Sequence, residues 1–96
     1  MSGTVVRDNP QTSRYEILDA VDRVAGFTEY DLDEAANTIT FVHTEVDPAF
    51  EGQGIGSKLA SGALDDVRER GLKVIAVCKF IAGYLERNPQ YADLLA

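Results

Sequence analysis

The sequence predicts an α+β (α/β) protein: a mixed, mostly antiparallel sheet of about five strands with helices packed on it, in the order β-β-β-β-α-β-α. Three observations predict it. Up to Val46 the chain is written in short, β-branched and alternating runs. A helical stripe of apolar residues then occupies Ile55–Arg70. An apolar run, "LKVIAV", follows that helix and reads as the return strand of a β-α-β crossover, right-handed by rule.

The elements follow in order. "TVVRD" is short and β-branched, and "NPQT" supplies turn residues, with a proline that cannot continue a central strand. In "SRYEIL", Tyr15 and Ile17 alternate with Arg14 and Glu16, so the first two strands make a hairpin. "RVAGFTEYDL" is a third strand with Gly26 as a bulge or close-approach point, and "DEAAN" is a loop. "NTITFVHTEV" is the fourth strand; its alternation puts His43 on one face with Ile39, Phe41 and Glu45. In the helix, Leu59, Ala60, Ala63, Leu64 and Val67 form the buried stripe, and Gly71 sits just past its end. "LKVIAV" has the near-continuous apolar character of a strand buried on both faces. "CKFIAGYLER" is a short helix with Phe80, Ile81, Tyr84 and Leu85 on one face, limited by Pro89. "QYADLL" adds one more turn that docks its Leu and Tyr residues. No repeat or linker interrupts the chain, so residues 1–96 read as one domain.

Composition excludes several function classes. A net charge of −7 lacks the basic footprint of a nucleic-acid binder and repels an anionic membrane surface. It permits a basic substrate such as a lysine-bearing peptide or a polyamine. One cysteine allows no internal disulfide and fits a reducing, cytoplasmic setting. The N-terminus lacks the pattern of a signal peptide, and no apolar run reaches the roughly 18 residues of a membrane span. One histidine and one cysteine are too few for a typical structural zinc site.

The stretch "FVHTEVDPAFEGQGIGSKL" carries the chemistry: a strand, a burst of glycines, then a helix. The first N–H groups of a helix have no internal partner, and the helix dipole adds roughly half a positive charge there. Glycines let the backbone come close to a ligand and adopt positive φ. A pyrophosphate can therefore rest on the N–H groups of residues 52–57. The spacing fits neither a Walker loop, since Lys58 follows Gly56 and Ser57 in the wrong order, nor a dinucleotide fingerprint, since "GQGIGS" lacks the last interval. A kinase glycine loop joins two strands rather than a strand and a helix. The local residues leave two readings open: a phosphate cradle, or a connection without a ligand.

Glu51-Gly52-Gln53-Gly54-Ile55-Gly56, entering a helix, resembles the acetyl-coenzyme A loop of the GNAT acetyltransferases, Q/R-x-x-G-x-G/A. The longer strings "HTEVDPAFEGQGIGSKL" and "NPQYADLL" resemble a minimal subfamily of that superfamily, and together they span roughly Phe41 to Leu95. Two positions depart from the pattern: Glu51 stands where the loop usually has Gln or Arg, and Asn88 where the subfamily signature generally has His. The resemblance implies a GNAT-like sheet, acetyl-CoA as cofactor, and transfer of acetyl to a primary amine, whether lysine side chain, peptide or small amine.

It also implies the site. Gly52, Gln53, Gly54, Ile55, Gly56, Ser57 and Lys58 hold the pyrophosphate. The Glu45–Val46–Asp47 stretch offers a backbone N–H to the thioester carbonyl, and the strands flanking the crossover helix splay to admit the pantetheine arm. Cys78, where the last strand gives way to a helix, accepts the acetyl group or lines the pocket; a buried cysteine is otherwise a small hydrophobe. His43, oriented by Glu45, is the candidate base, against the alternative of a hydrogen-bonded histidine beside the core. Tyr84 is the candidate acid, and Asn88 and Tyr91 are candidates for the cofactor groove. The chain is too short for the helices that wall the acceptor site in larger members, so an open acceptor site is expected, in a monomer or a weak homodimer. A non-catalytic acyl-CoA-binding or protein-interaction module with the same fold remains the alternative, and a structural domain without ligand is a third.

Overall fold

A computed structural model describes residues 3–96. The strands are β1 (Val5–Asn9), β2 (Arg14–Leu18), β3 (Val24–Asp33), β4 (Thr38–Val46) and β5 (Lys73–Ala76). Helix α1 (Ile55–Glu69) lies between β4 and β5, and α2 (Lys79–Arg87) follows β5. Short 3-10 turns occupy Pro48–Phe50 and Pro89–Leu94. The five strands stand in chain order, antiparallel except for the parallel pair β4–β5. This is the mixed, mostly antiparallel sheet and the element order that the sequence predicts.

Helix α1 forms because its apolar stripe can be buried whole. Leu59, Ala60, Ala63, Leu64 and Val67 are all fully buried against the sheet. Such burial stabilises by about 1.5–3 kcal/mol for each large aliphatic side chain. At Gly62 a Cβ would stand 2.6 Å from Val6, so the missing side chain lets the helix lie close to β1. The helix ends in a Schellman motif: Leu72 N–H donates to Val67 C=O and Gly71 N–H to Arg68 C=O, both at 3.1 Å, with Gly71 at φ 70°. Near this end, Tyr15 Oη donates to Asp66 at 2.6 Å and Arg70 donates to Tyr15 Oη at 3.0 Å, tying α1 to β2.

Both helices and the C-terminal turn share one buried cluster with alternate residues of the sheet, among them Tyr15, Ile17, Ile39, Phe41 and Val74. Among the described residues no helix covers the other face. The last turn docks as expected for Tyr91 and Leu94, while Leu95 stays half exposed and bridges to Val74 at the outer edge of β5.

Two bulges shape the sheet near the glycine loop. In β3, Ile17 faces Gly26 and Leu18 faces Val24, so Ala25 is the extra residue. A Cβ at Gly26 would lie 2.9 Å from the Glu45 carbonyl, which makes Gly26 the expected close-approach point. In β4, Glu29 faces His43 and Tyr30 faces Phe41, so Val42 is extra.

The second bulge corrects one expectation. An extra residue reverses the alternation beyond it. Ile39 and Phe41 are buried under the helices, but Thr44 and Val46 take over that face after Val42. His43 shares a face with Glu45, as expected, but not with Ile39 and Phe41; both His43 and Glu45 stand on the bare side of the sheet. The expectation that β5 is buried on both faces is also corrected. It is the last strand of the sheet, with Val74 buried and Lys73 and Ile75 exposed. Its apolar run reflects one buried face plus an uncovered one.

Candidate functional site

The glycine loop leads from β4 into α1. Gly52 and Gly54 have φ of 80° and 69°, in the left-handed region, and a Cβ at either would meet nothing within 4 Å. They are glycines for their backbone conformation, not for lack of space. Gly56 is different: a Cβ there would lie 2.7 Å from the Phe80 ring, so it sets the approach of α2 to the start of α1. Gly54 is the N-cap of α1, without a side-chain cap bond, and the first turn carries no acidic residue. The leading N–H groups of the helix therefore point out of the protein beside an exposed loop. Ile55 is buried as an anchor, while Gln53, Ser57, Lys58 and Glu51 are exposed.

Beside this loop the sheet opens. The parallel ladder with β5 ends at Phe41 and Ala76, where the Phe41 carbonyl accepts from Val77 N–H at 3.0 Å and Cys78 N–H at 2.8 Å. β4 runs on to Val46 without a partner on that side among the described residues. Asp47 N–H donates to Ala25 C=O at 2.8 Å. The antiparallel pattern then turns the Glu45 backbone toward β3 as well, and leaves the N–H groups of Thr44 and Val46 on the free edge. Of the stretch Glu45–Val46–Asp47, Val46 is thus the residue whose N–H is available.

Cys78 closes the inner end of this opening. It is the N-cap residue of α2 and only 9% exposed. Its Sγ lies 3.1 Å from Thr44 Oγ1, and Thr44 Oγ1 lies 2.9 Å from Thr28 Oγ1. Sequence reasoning missed Thr44 and Thr28. Only the register of β3 on β4 and the bulge at Val42 reveal that they share a face with the thiol.

His43 lies across the strand from this thiol. Its Nε2 is 2.7 Å from Glu45 Oε2, and its ring stands 6.3 Å from that of Phe27. With Nε2–H donated to the carboxylate, Nδ1 keeps its lone pair and can accept a proton. Arg14 stacks over Phe27 at 4.3 Å. A hollow of about 310 Å³ opens beside the pair, lined by Arg14, Gly26, Phe27, Glu45, Val46 and Pro48 among others. Arg14 and Phe27 carried no sequence signal for this position.

The remaining candidates sit on α2 and the last turn. Tyr15, Tyr30 and Tyr91 give their hydroxyls to the carboxylates of Asp66, Asp8 and Asp65. Tyr84 gives its hydroxyl to no described residue; its ring packs 6.1 Å from that of Tyr91. Burial and then the Asp65 hydrogen bond push the Tyr91 hydroxyl up to about 12. Asn88 Nδ2 donates to the Tyr84 carbonyl at 2.8 Å, holding the end of α2. The polar atoms of Asn88 and Tyr91 are thus engaged within the fold.

Residues 14–94 match the family described as GCN5-related N-acetyl-transferase. The chain belongs to the GCN5-related N-acetyl-transferase family. The match covers β2 through the last turn, and so includes the opened edge of β4, the glycine loop and Cys78. A GCN5-like protein of Staphylococcus aureus solved by NMR superposes with a TM-score of 0.72 at 30% identity, over 100% of this chain and 91% of that one. Nourseothricin acetyltransferase shares the fold with a TM-score of 0.54 at 18% identity, over 94% of this chain and 68% of that one. Protein NATD1 of Xenopus tropicalis is 43% identical over 60 residues, 60% of this chain and 55% of that protein. Protein NATD1 of Mus musculus is 46% identical over 55 residues, 55% of this chain and 50% of that protein. The chain spans about half the length of these curated relatives. Among the described residues no helix is long and apolar enough to cross a membrane.

Proposed function

We propose that this GCN5-related N-acetyl-transferase, over residues 1–96 as one domain, transfers acetyl from acetyl-CoA to a primary amine. The observation that carries the reading is one continuous edge. The N–H groups of Thr44 and Val46, unpaired among the described residues where β5 has ended, lead into a helix start opened by Gly52 and Gly54 and left without a side-chain cap. The donor set fits a pyrophosphate followed by an extended amide-bearing arm: N–H groups of residues 52–57 for the phosphates, and strand-edge N–H groups for the arm. Ser57 and Lys58, exposed in the first helical turn, add a hydroxyl and a positive charge there. Acetyl-CoA supplies the activated thioester.

The protein's own groups then divide the work. The Val46 N–H donates to the thioester carbonyl and stabilises the charge that develops on it. His43, held by Glu45, takes the proton of the attacking amine from the bare face of the sheet. Cys78 stands on the helix side of the same strand, where it lines the acyl path or receives the acetyl group. Tyr84, whose hydroxyl has no partner among the described residues, is the candidate acid for the departing thiolate. The acceptor side is a broad sheet face, which suits a protruding lysine side chain, a peptide or a small amine, and a monomer or weak homodimer.

The test is release of free CoA from acetyl-CoA on adding an amine, with a lysine peptide and a polyamine as probes, beside the His43→Gln variant. Amine-dependent release that His43→Gln lowers by about 100-fold supports the reading. Tight acetyl-CoA binding with no release from any amine would support the second reading, a non-catalytic acyl-CoA-binding or interaction module, which the unwalled acceptor face also favours.

A further inference from the structure

We infer that Thr44 is the positioning residue for the Cys78 thiol, and that Thr28 backs it through a two-hydroxyl chain, Thr28–Thr44–Sγ. The inference rests on the reading of Cys78 as a thiol beside the acyl path.

Thr28 is 0% exposed and, with Glu16, one of two buried polar or charged residues among those described. A hydroxyl in an apolar interior is costly unless it is bonded, and valine would fill the same space without that demand. The partner of Thr28 is Thr44, at 2.9 Å. The two stand directly opposite each other on β3 and β4, at a pair without backbone hydrogen bonds, where facing side chains come closest. The bulge at Val42 is what turns Thr44 toward the helices. There its hydroxyl meets Sγ at 3.1 Å. His43 and Glu45 are bonded to each other on the far face, so among the described side chains this chain of hydroxyls is the polar contact of the sulfur.

The chain works in both directions. With a protonated thiol, S–H donates to Thr44 and Thr44 donates to Thr28. With a thiolate, Thr28 donates to Thr44 and Thr44 donates to the sulfur. Between the two the thiol proton leaves to solvent at the opened edge of β4, the hydroxyl protons rotate, and the sulfur stays in place. A valine at 28 or 44 would break the sequence of donors while keeping the strand.

Cys78 is the only cysteine, so its alkylation by iodoacetamide in the full chain reads one site. We expect Thr44→Val to slow alkylation at fixed pH about tenfold, the ratio that corresponds to about 1.4 kcal/mol. Thr28→Val should slow it less, and Thr44→Ser should restore it. The S–H stretching band of Cys78 should shift in Thr44→Val and return in Thr44→Ser, a signature that loss of packing alone would not reverse. Circular dichroism and melting curves establish that each variant is folded. Alkylation of Thr44→Val at the wild-type rate or faster would overturn the inference, as would a Thr44→Ser variant as slow as Thr44→Val. Acetyl-CoA binding is measured separately on the wild type: its absence would remove the acetyltransferase reading and leave the alkylation result standing.

Discussion

Cys78 and His43 lie on opposite faces of β4. The thiol meets Thr44 under the helices, whereas the imidazole meets Glu45 and Phe27 on the bare side. The extra residue Val42 separates the two arrangements. The protein's one cysteine and one histidine therefore do not form a nucleophile–base pair, and in the proposed transfer each acts from its own side.

This separation predicts independent effects. His43→Gln should lower kcat for amine-dependent transfer by about 100-fold, the lower end of general-base contributions. It should leave the alkylation rate of Cys78 unchanged. Equal losses in both measurements would mean that the imidazole acts through the thiol, against the geometry.

Gly71 offers a test of the helix end. Its φ of 70° closes the Schellman motif with Leu72 buried behind it. Gly71→Ala should cost about 1 kcal/mol, or roughly 4–8 °C in Tm for a chain of this size. A Cβ there meets nothing within 4 Å, so the loss measures conformation alone. An unchanged Tm would contradict it.

Glu16 gives the acid limb of stability. Its side chain is 3% exposed on the bare sheet face, with Arg14 at 2.7 Å and Arg7 at 3.5 Å. Burial pushes its carboxyl up, but donation from Arg14, Asn9 and Arg7 outweighs this and leaves it below the usual carboxylate range. A carboxylate lowered by folding contributes stability above its unfolded pKa of about 4.3, and that contribution is lost as pH falls through the folded value. Urea unfolding of Glu16→Gln should therefore show lower stability than wild type at pH 7 and a smaller further loss on acidification. The alkaline side has the opposite sign. Tyr15 and Tyr30 are raised above their ordinary range, by burial first and then by Asp66 and Asp8. Their contribution is complete below pH of about 10 and fades above it.

Much of the fold was legible because its signals are local. The stripe from Leu59 to Val67 and the glycine at 71 place α1 without reference to any other element. The loop was legible for the same reason: Gly52 and Gly54 mark positive φ beside a helix start. Gly56 belongs to the same burst but answers to Phe80, a contact made by tertiary packing. What failed depends on neighbours. Strict alternation along β4 put His43 with Phe41, and nothing in "TFVHTE" announces that Val42 is an extra residue. Thr44 and Thr28 became visible only once β3 and β4 were in register. "LKVIAV" reads as doubly buried, because an edge strand with one uncovered apolar face has the same composition.

The most direct test of the central claim is the thermal shift of the chain with acetyl-CoA and with CoA, beside Gly54→Asp. Ligand binding to the folded state should raise stability by about 2.7 kcal/mol at 100 times Kd. Aspartate is among the residues that tolerate positive φ, and a side chain at 54 has open space, so the variant should fold while its carboxylate occupies and repels the phosphate position. The account predicts a clear rise in Tm for the wild type and none for the variant. No rise in the wild type at millimolar cofactor, or an equal rise in both, would contradict it.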